Sequence, residues 1–388
     1  MSSQSVAIEP KKSSVWTSGL ALFSMFFGAG NLVFPLLVGK HAGAESGSAL
    51  TGLSLSAVAF PFLGLAAIML YGGDLKAFLA RLGKWPAAAL LFVLAMSQGP
   101  IGAMPRLVTL MHASITPYWN LSLGLFSTLI CALVFFLTVR PSRMMHLLGA
   151  ILTPLLLLTL GLLFGLGLAH GPHPVPVPEG AAHHFQQGLQ GGYQTLDLTA
   201  ALLFGMLMIP HLSKGGASVS EVRRKMMGAS SIAAGLLMLS YIGLCYLSAS
   251  YGPSISPGIA DVDYLHAIAV EILGPSGSLL ATGAVFLACL TTAISLAAVF
   301  AEYLRTEFFR KKGGSVVPLL LTLLATAFMA NLGFSGIMKI WGPVLGILYP
   351  GLIILCLFNI ANKLFEVKMV KTPVFAALAF GSACFMFL

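Results

Sequence analysis

Long apolar runs, largely free of Lys, Arg, Asp and Glu, recur from one end of this chain to the other. A helix of about 20 such residues matches the hydrocarbon thickness of a bilayer. In lipid the backbone must satisfy its own polar groups, which leaves helices and closed barrels as spanning structures. Barrel strands read as short alternating segments, whereas these runs are long and do not alternate. The chain is therefore expected to be an all-α polytopic membrane protein. Composition agrees: 57% of residues are hydrophobic and 9% charged, where a soluble domain carries about 25% charged residues. An ordinary soluble enzyme needs a more charged surface, and a disordered chain is poorer in apolar residues.

The runs place spans near 16–38, 47–71, 85–110, 118–139, 146–169, 193–212, 227–250, 276–301, 315–332, 338–360 and 372–388, eleven in all. The first follows Lys11 and Lys12 but holds Asn31 and Pro35 and lacks a small-residue cleavage site. It reads as a span and not as a leader. The formal net charge of +9 reads as topology and not as nucleic-acid binding. With the N-terminus inside, 18 of the 21 basic residues fall on the inner side. They are Lys11, Lys12, Lys76, Arg81, Lys84, Arg140, Arg143, Lys214, Arg223, Arg224, Lys225, Arg305, Arg310, Lys311, Lys312, Lys363, Lys368 and Lys371. Lys40, Arg106 and Lys339 are left outside or embedded.

The segment from His170 to Gly192 has no Lys or Arg, and its GPHPVPVPEG stretch predicts an extended external loop. His183 and His184 follow; neighbours on an extended chain point apart, so no metal site is read there. DVDYLHAIAVEIL predicts a short amphipathic helix on the outer face. Cys131, Cys245, Cys289, Cys356 and Cys384 lie in apolar runs without a CxxC pair, and read as core residues.

Two spans should not be continuous helices. Span one reads GLALFSMFFGAGNLVFPLLVG, with Gly28-Ala29-Gly30-Asn31 at its centre and Pro35 following. Glycine and Asn weaken a helix, and unwound backbone at this depth persists only inside protein or along a cavity. Small residues also make helix-packing surfaces, but GAGN is clustered and not spaced as GxxxG. It is no dinucleotide loop, since it follows no strand and lacks the third glycine. Span six reads GGYQTLDLTAALLFGMLMIPH, with Thr195, Asp197 and Thr199. Asp197 is the one acidic residue inside a span if Glu302 lies at the inner end of span eight. A charge at that depth costs at least about 2.5 kcal/mol, which makes it a functional residue by default. The alternative is an Asp197 at the outer boundary, in water. The breaks lie five spans apart. A five-span unit that starts inside ends outside, so a second copy is inverted, and paired interruptions at matching positions point to a transport site.

FFGAGNLVFPLLVG, GGYQTLDLTAALLFG and FLACLTTAISLAAVFAEY resemble the bacterial branched-chain amino acid:cation symporter family, also called system II carrier proteins. QGPIGAMPR and WGPVLGILYPG resemble its third and tenth spans, so the likeness covers nearly the whole chain. The resemblance implies a five-plus-five inverted-repeat, leucine-transporter-like fold with broken helices 1 and 6, plus one further C-terminal span. The family usually has twelve spans, and eleven are read here. The implied division is a cytoplasmic tail (1–15), spans one to five (16–169), an external Pro-rich loop (170–192), inverted spans six to ten (193–360) and a peripheral span (361–388). The implied activity is sodium-coupled uptake of leucine, isoleucine and valine across the bacterial inner membrane, with proton-coupled symport of a related neutral amino acid as the alternative.

A zwitterionic substrate needs donors for its carboxylate and acceptors for its amino group. Gly28, Ala29, Gly30 and Asn31 would offer N–H groups at a helix N-terminus. Carbonyls around Thr195, Leu196 and Asp197 would take the amino group, and Phe26, Phe34 and Phe204 would wall the side chain. Sodium, a hard cation, takes oxygen ligands. The Ala288-xx-Thr291-Thr292 arrangement resembles a sodium site of this fold, completed by Ser24 and Phe27. The alternative for the threonines is a bond back to their own helix. The expected partners are the amino acid, Na+ and membrane lipid, with no other cofactor. No nucleic acid, nucleotide-binding loop or ATPase subunit is implied, and no HExxH or Gly-x-Ser-x-Gly motif suggests an enzyme.

Overall fold

The computed structural model describes residues 14–170, 172–213, 216–256, 258–310, 314–367 and 369–386. Lys11, Lys12, Lys214, Lys311, Lys312 and Lys368 of the inner basic set lie outside the described residues, as do the side chains of Arg143 and Cys384.

Every regular element among the described residues is a helix. α1 (Val15–Phe26) begins at Ser14, whose hydroxyl caps the Trp16 N–H at 3.2 Å, and α2 is Ala29–Ala42. α3 (Ser46–Ser54) runs through a π turn into α4 (Phe60–Met69), and α5 (Leu75–Leu79) is capped by Asp74. α6 (Lys84–Gln98), α7 (Ala103–Ile115) and α8 (Leu123–Thr138) follow. α9 (Pro141–Leu147) runs through a second π turn into α10 (Thr153–His170). The remainder are α11 (Ala181–Gln194), α12 (Asp197–Ser213), α13 (Val219–Tyr251), α14 (Tyr264–Leu273), α15 (Pro275–Glu307), α16 (Val316–Ala330), α17 (Gly333–Phe365) and α18 (Lys371–Met386).

Seven helical stretches among the described residues are long and apolar enough to cross a membrane, against eleven apolar runs in the sequence. The numbers differ for two physical reasons. Ala29–Met69 joins parts of two runs into one stretch. α1, α8, α16 and α18 have 12, 16, 15 and 16 residues, short of the ~20 of a straight crossing.

One expectation needs correction. Residues 172–180 lie outside any helix, but Ala181–Gln194, most of it expected to be extended loop, is helix α11. AAHHFQQGLQGGYQ contains no proline, and its small residues seat it along α3. A Cβ on Gly188 would strike the carbonyl of Ala49, and one on Gly52 that of Phe185. Glycine at both positions lets the two backbones meet, as in small-residue packing between membrane helices. His183 and His184 are therefore successive helical positions, each paired with Gln187. Among the described residues no cluster of three metal-ligating side chains occurs. Cys131, Cys245, Cys289 and Cys356 are buried free thiols. The short helix expected within 261–273 is α14.

The helices pack as two groups. α1 to α4 lie with α11, α12 and α13, while α7, α8, α15 and α16 pack on one another. α15 runs between the groups and touches α1, α2 and α12 as well.

The α3–α11 contact yields a prediction. Gly188→Leu should lower the melting temperature in detergent, since overpacking costs about 1–3 kcal/mol. Gly165→Leu, at an exposed position with nothing within 4 Å of a new Cβ, should not. Equal melting temperatures for the two variants would refute the close contact.

Candidate functional site

Three interruptions face one another in the core. α1 stops at Phe26 and α2 restarts at Ala29; Phe27 (ψ 81°) and extended Gly28 turn the backbone between them. α11 stops at Gln194 and α12 restarts at Asp197. Leu196 between them has φ 70°, a left-handed conformation that costs a non-glycine residue about 1–2 kcal/mol. Its carbonyl is held by the Gln98 Nε2 group at 2.8 Å and the Thr199 hydroxyl at 2.7 Å. The third lies between α6 and α7 at Gly99–Gly102, where the sequence suggested no definite break. Its signal was QGPIGAMPR, two glycines and two prolines in nine residues. There the Trp341 indole N–H donates to the Ile101 carbonyl at 2.9 Å.

Asn31 binds the first two interruptions together. Its Oδ1 accepts from the Gly28 N–H at 3.3 Å, capping α2. Its Nδ2 donates to Asp197 Oδ2 at 2.6 Å and to the Tyr241 hydroxyl at 2.5 Å. Tyr241 in turn donates to the same Asp197 oxygen at 3.1 Å. Asp197 is 2% exposed, so it does not sit in water at an outer boundary. It occupies the first turn of α12, where the helix dipole favours a negative charge. The N–H groups of Ala29, Gly30 and Asn31 belong to the first turn of α2, which has no intrahelical acceptors for them.

These groups surround a small cavity of about 20 Å³. Gly28, Ala29, Gly30, Asn31, Thr195, Leu196 and Asp197 all line it, together with Thr292. A Cβ on Gly30 would come within 2.8 Å of the Thr195 Cα, so glycine allows the two interruptions to touch. A Cβ on Gly28 would meet Leu107 at 2.9 Å and the Thr292 hydroxyl at 3.1 Å. Phe26 and Phe204 form part of the wall, ring edge to face at 5.1 Å. Phe34 does not line the cavity, contrary to expectation; its ring lies under the Arg106 guanidinium.

Of the expected sodium ligands only Thr292 reaches the cavity wall. Its hydroxyl crosses to α1 and donates to the Ser24 carbonyl at 3.0 Å, whereas Thr291 bonds back to Ala288 in its own helix at 2.9 Å. Ser24, Phe27, Ala288 and Thr291 are fully buried at this α1–α15 contact.

Gln98, Arg106 and Tyr241 were not singled out for the site from the sequence. Gln98 and Arg106 line the cavity, and Tyr241 completes the Asn31–Asp197 triangle. Arg106 had a signal: it is a basic residue outside the inner loops. Tyr241 had none among nine tyrosines.

A family model described as branched-chain amino acid transport protein matches residues 11–386. The branched-chain amino acid transport system 3 carrier protein of Pseudomonas aeruginosa is 30% identical over 376 residues, 94% of this chain and 84% of the carrier. The branched-chain amino acid permease BrnQ of Corynebacterium glutamicum is 31% identical over 368 residues, 91% of this chain and 82% of the permease. These relatives are named as a carrier and a permease and not as enzymes. Among solved structures, a Na+-coupled sialic acid symporter in a substrate-bound outward-open state aligns with TM-score 0.62 at 10% identity, covering 97% of this chain and 90% of that one. MhsT in complex with L-phenylalanine aligns with TM-score 0.55 at 17% identity, covering 95% and 99%. At such identities the likeness speaks for the fold alone.

The triangle makes a prediction about stability. Asn31→Leu strips the Gly28 N–H, Asp197 and Tyr241 of a partner at once, while Tyr241→Phe removes one donor from Asp197. A hydrogen bond to a charged group is worth about 1.5–3 kcal/mol. Asn31→Leu should therefore lower the melting temperature more than Tyr241→Phe. A wild-type melting temperature for Asn31→Leu would show that the triangle holds nothing together.

Proposed function

The chain belongs to the branched-chain amino acid transport protein family, and from that premise we propose that it is a secondary active transporter for leucine, isoleucine and valine, coupled to sodium. It works by alternating access in the bacterial inner membrane, with a cytoplasmic N-terminus. The helices are read as eleven spans, ten of them two inverted five-span repeats and the last peripheral. α1 and α2 are the halves of span one, and α11 and α12 those of span six, which moves the start of the second repeat from 193 to 181. The observation that carries this reading is the meeting of two interrupted helices at Asn31 and Asp197 beside one cavity. Unwound backbone at membrane depth is tolerated where it lines such a cavity, and half-helix ends of this kind bind substrate and ion in transporters.

The chemistry follows from the groups present. The N–H groups of Ala29, Gly30 and Asn31 and the positive end of α2 attract the substrate carboxylate. Asp197 and the carbonyls of Thr195 and Leu196 take the ammonium group. Phe26, Leu107, Phe204 and Leu296 give the branched side chain an apolar wall. Sodium takes the carbonyls of Ser24, Phe27 and Ala288 and the hydroxyls of Thr291 and Thr292. The two hydroxyls already donate to carbonyls of this set, and an ion would take those oxygens in place of the hydroxyl protons. An ion gradient supplies the energy, and the substrate leaves chemically unchanged.

Uptake of labelled leucine into proteoliposomes, with sodium and proton gradients imposed separately, tests the reading. Saturable uptake should follow the inward sodium gradient. Uptake that ignores sodium and follows protons alone would overturn the coupling. Thr292→Val keeps the branched shape and removes an oxygen, and should raise the half-saturating sodium concentration by about tenfold, the worth of one lost ligand contact. Asp197→Asn keeps volume and deletes charge; it should reach the membrane and lose sodium-driven uptake. Near-normal uptake in that variant would remove Asp197 from the site.

A further inference from the structure

Arg106 sits on α7, four residues past the third interruption, and is 2% exposed. Among the described residues, Arg106 and Asp197 are the two buried side chains of the Lys, Arg, Asp and Glu types. Both line the same cavity. The guanidinium lies over the rings of Phe34 and Phe334, 5.6 and 5.4 Å from their centroids. These rings hold it in place and supply no acceptor in the plane of its N–H groups. Nη2 donates to the Gln194 carbonyl at 3.0 Å, at the last residue of α11. Nε and Nη1 have no hydrogen-bond partner. Asp197 acts on the guanidinium through its charge but makes no hydrogen bond to it; its paired oxygen is engaged by Asn31 and Tyr241.

A guanidinium stays charged in proteins, and a buried charge with open donors is costly until an anion meets it. The position says which anion. A Cβ on Gly30 would lie 3.4 Å from Arg106 Nη2, so the guanidinium borders the first turn of α2. The next residue, Asn31, holds Asp197. One positive and one negative side chain thus flank consecutive residues at a helix N-terminus. An α-amino acid carries the complementary pair of charges on adjacent atoms.

Building on the transport reading above, we propose that Arg106 binds the substrate α-carboxylate and, set against Asp197, restricts the site to zwitterionic α-amino acids. The open N–H groups of α2 and the guanidinium then share the carboxylate, with charge-assisted bonds that are shorter and stronger than neutral ones. The competing account is mechanical: Arg106 only ties α7 to the end of α11 through Gln194.

Binding of leucine and of leucinamide to the purified protein separates the two. The amide keeps the ammonium group and the side chain but has no anionic carboxylate. At about pH 6.5 its amine is protonated, below the ~7.7 of a free α-amino group. Wild type should prefer leucine by about tenfold or more, the scale of one charged hydrogen bond. Arg106→Gln should weaken leucine by a similar factor and leave leucinamide within about twofold. Arg106→Lys keeps the charge and a donor for Gln194, and should fall between. If Arg106→Gln is not monodisperse, the Lys variant carries the comparison. Equal weakening of both ligands, or unchanged leucine affinity in a folded variant, assigns Arg106 to the mechanical role and overturns the proposal. So does a wild type that binds the amide as tightly as leucine, whatever the variants do. A wild type that binds no branched-chain amino acid overturns the transport reading itself, and this assignment with it.

Discussion

Backbone N–H and C=O groups opened in the middle of a membrane protein have no water to turn to, and each one left unanswered costs several kcal/mol. The core of this chain opens its backbone in three places, and side chains from other helices answer the second and third. Asn31 caps the Gly28 N–H within its own half-helix and then reaches across to Asp197. Gln98 holds the Leu196 carbonyl, and Arg106 holds that of Gln194. Trp341 holds the Ile101 carbonyl in the third opening. The interruptions are thus mutually supporting: two of the side chains that satisfy the second one, Gln98 and Arg106, flank the third. Deleting one does not free a local loop; it exposes a partner on another helix.

Glycine sets the distances at which this is possible. At Gly30 the approach of Thr195 leaves no room for a methyl group, and at Gly188 and Gly52 two helix backbones touch. The first contact brings two backbone openings together. The second fixes α11, the half-helix leading into one of them, against α3. A packing surface and a functional break are both built from small residues, and this chain uses them for both.

That double use explains what was legible in the sequence. GAGN, clustered in four residues without the GxxxG spacing of a packing stripe, lies where α1 gives way to α2. Asp197 was legible from its cost in an apolar segment. The start of α11 was not, since a polar, glycine-containing stretch after a proline-rich loop looks unable to support a helix alone. Its stability comes from the Ala49 and Phe185 backbone contacts, which are tertiary. Leu196 gave no warning of its left-handed backbone, because the residue type argues against it and the hydrogen bond from Gln98 overrides the preference. Tyr241 was one apolar residue among many until its hydroxyl was seen against Asn31. Arg106 was visible as a basic residue out of place in the charge topology, but nothing in a linear reading says that a lone arginine on α7 reaches the end of α11.

The two helix groups meet at the atoms assigned to substrate and ion. Asp197 and Ser24 belong to the group of α1 to α4 and α11 to α13; Arg106 and Thr292 belong to the group of α7, α8, α15 and α16. Cross-links between the groups are the Arg106–Gln194 and Thr292–Ser24 hydrogen bonds, each 3.0 Å long. A carboxylate would meet the open N–H groups of Arg106 beside its bond to Gln194, and an ion would take the Thr292 and Ser24 oxygens that now join the groups directly. Ligand affinity then depends on the spacing of the groups, and their spacing on occupancy, because a ligand shifts a conformational equilibrium only through contacts that differ between its states. On these assignments coupling between ion and substrate needs no relay through the protein. Both ligands would bridge the same seam, and reciprocity between them would follow from linkage.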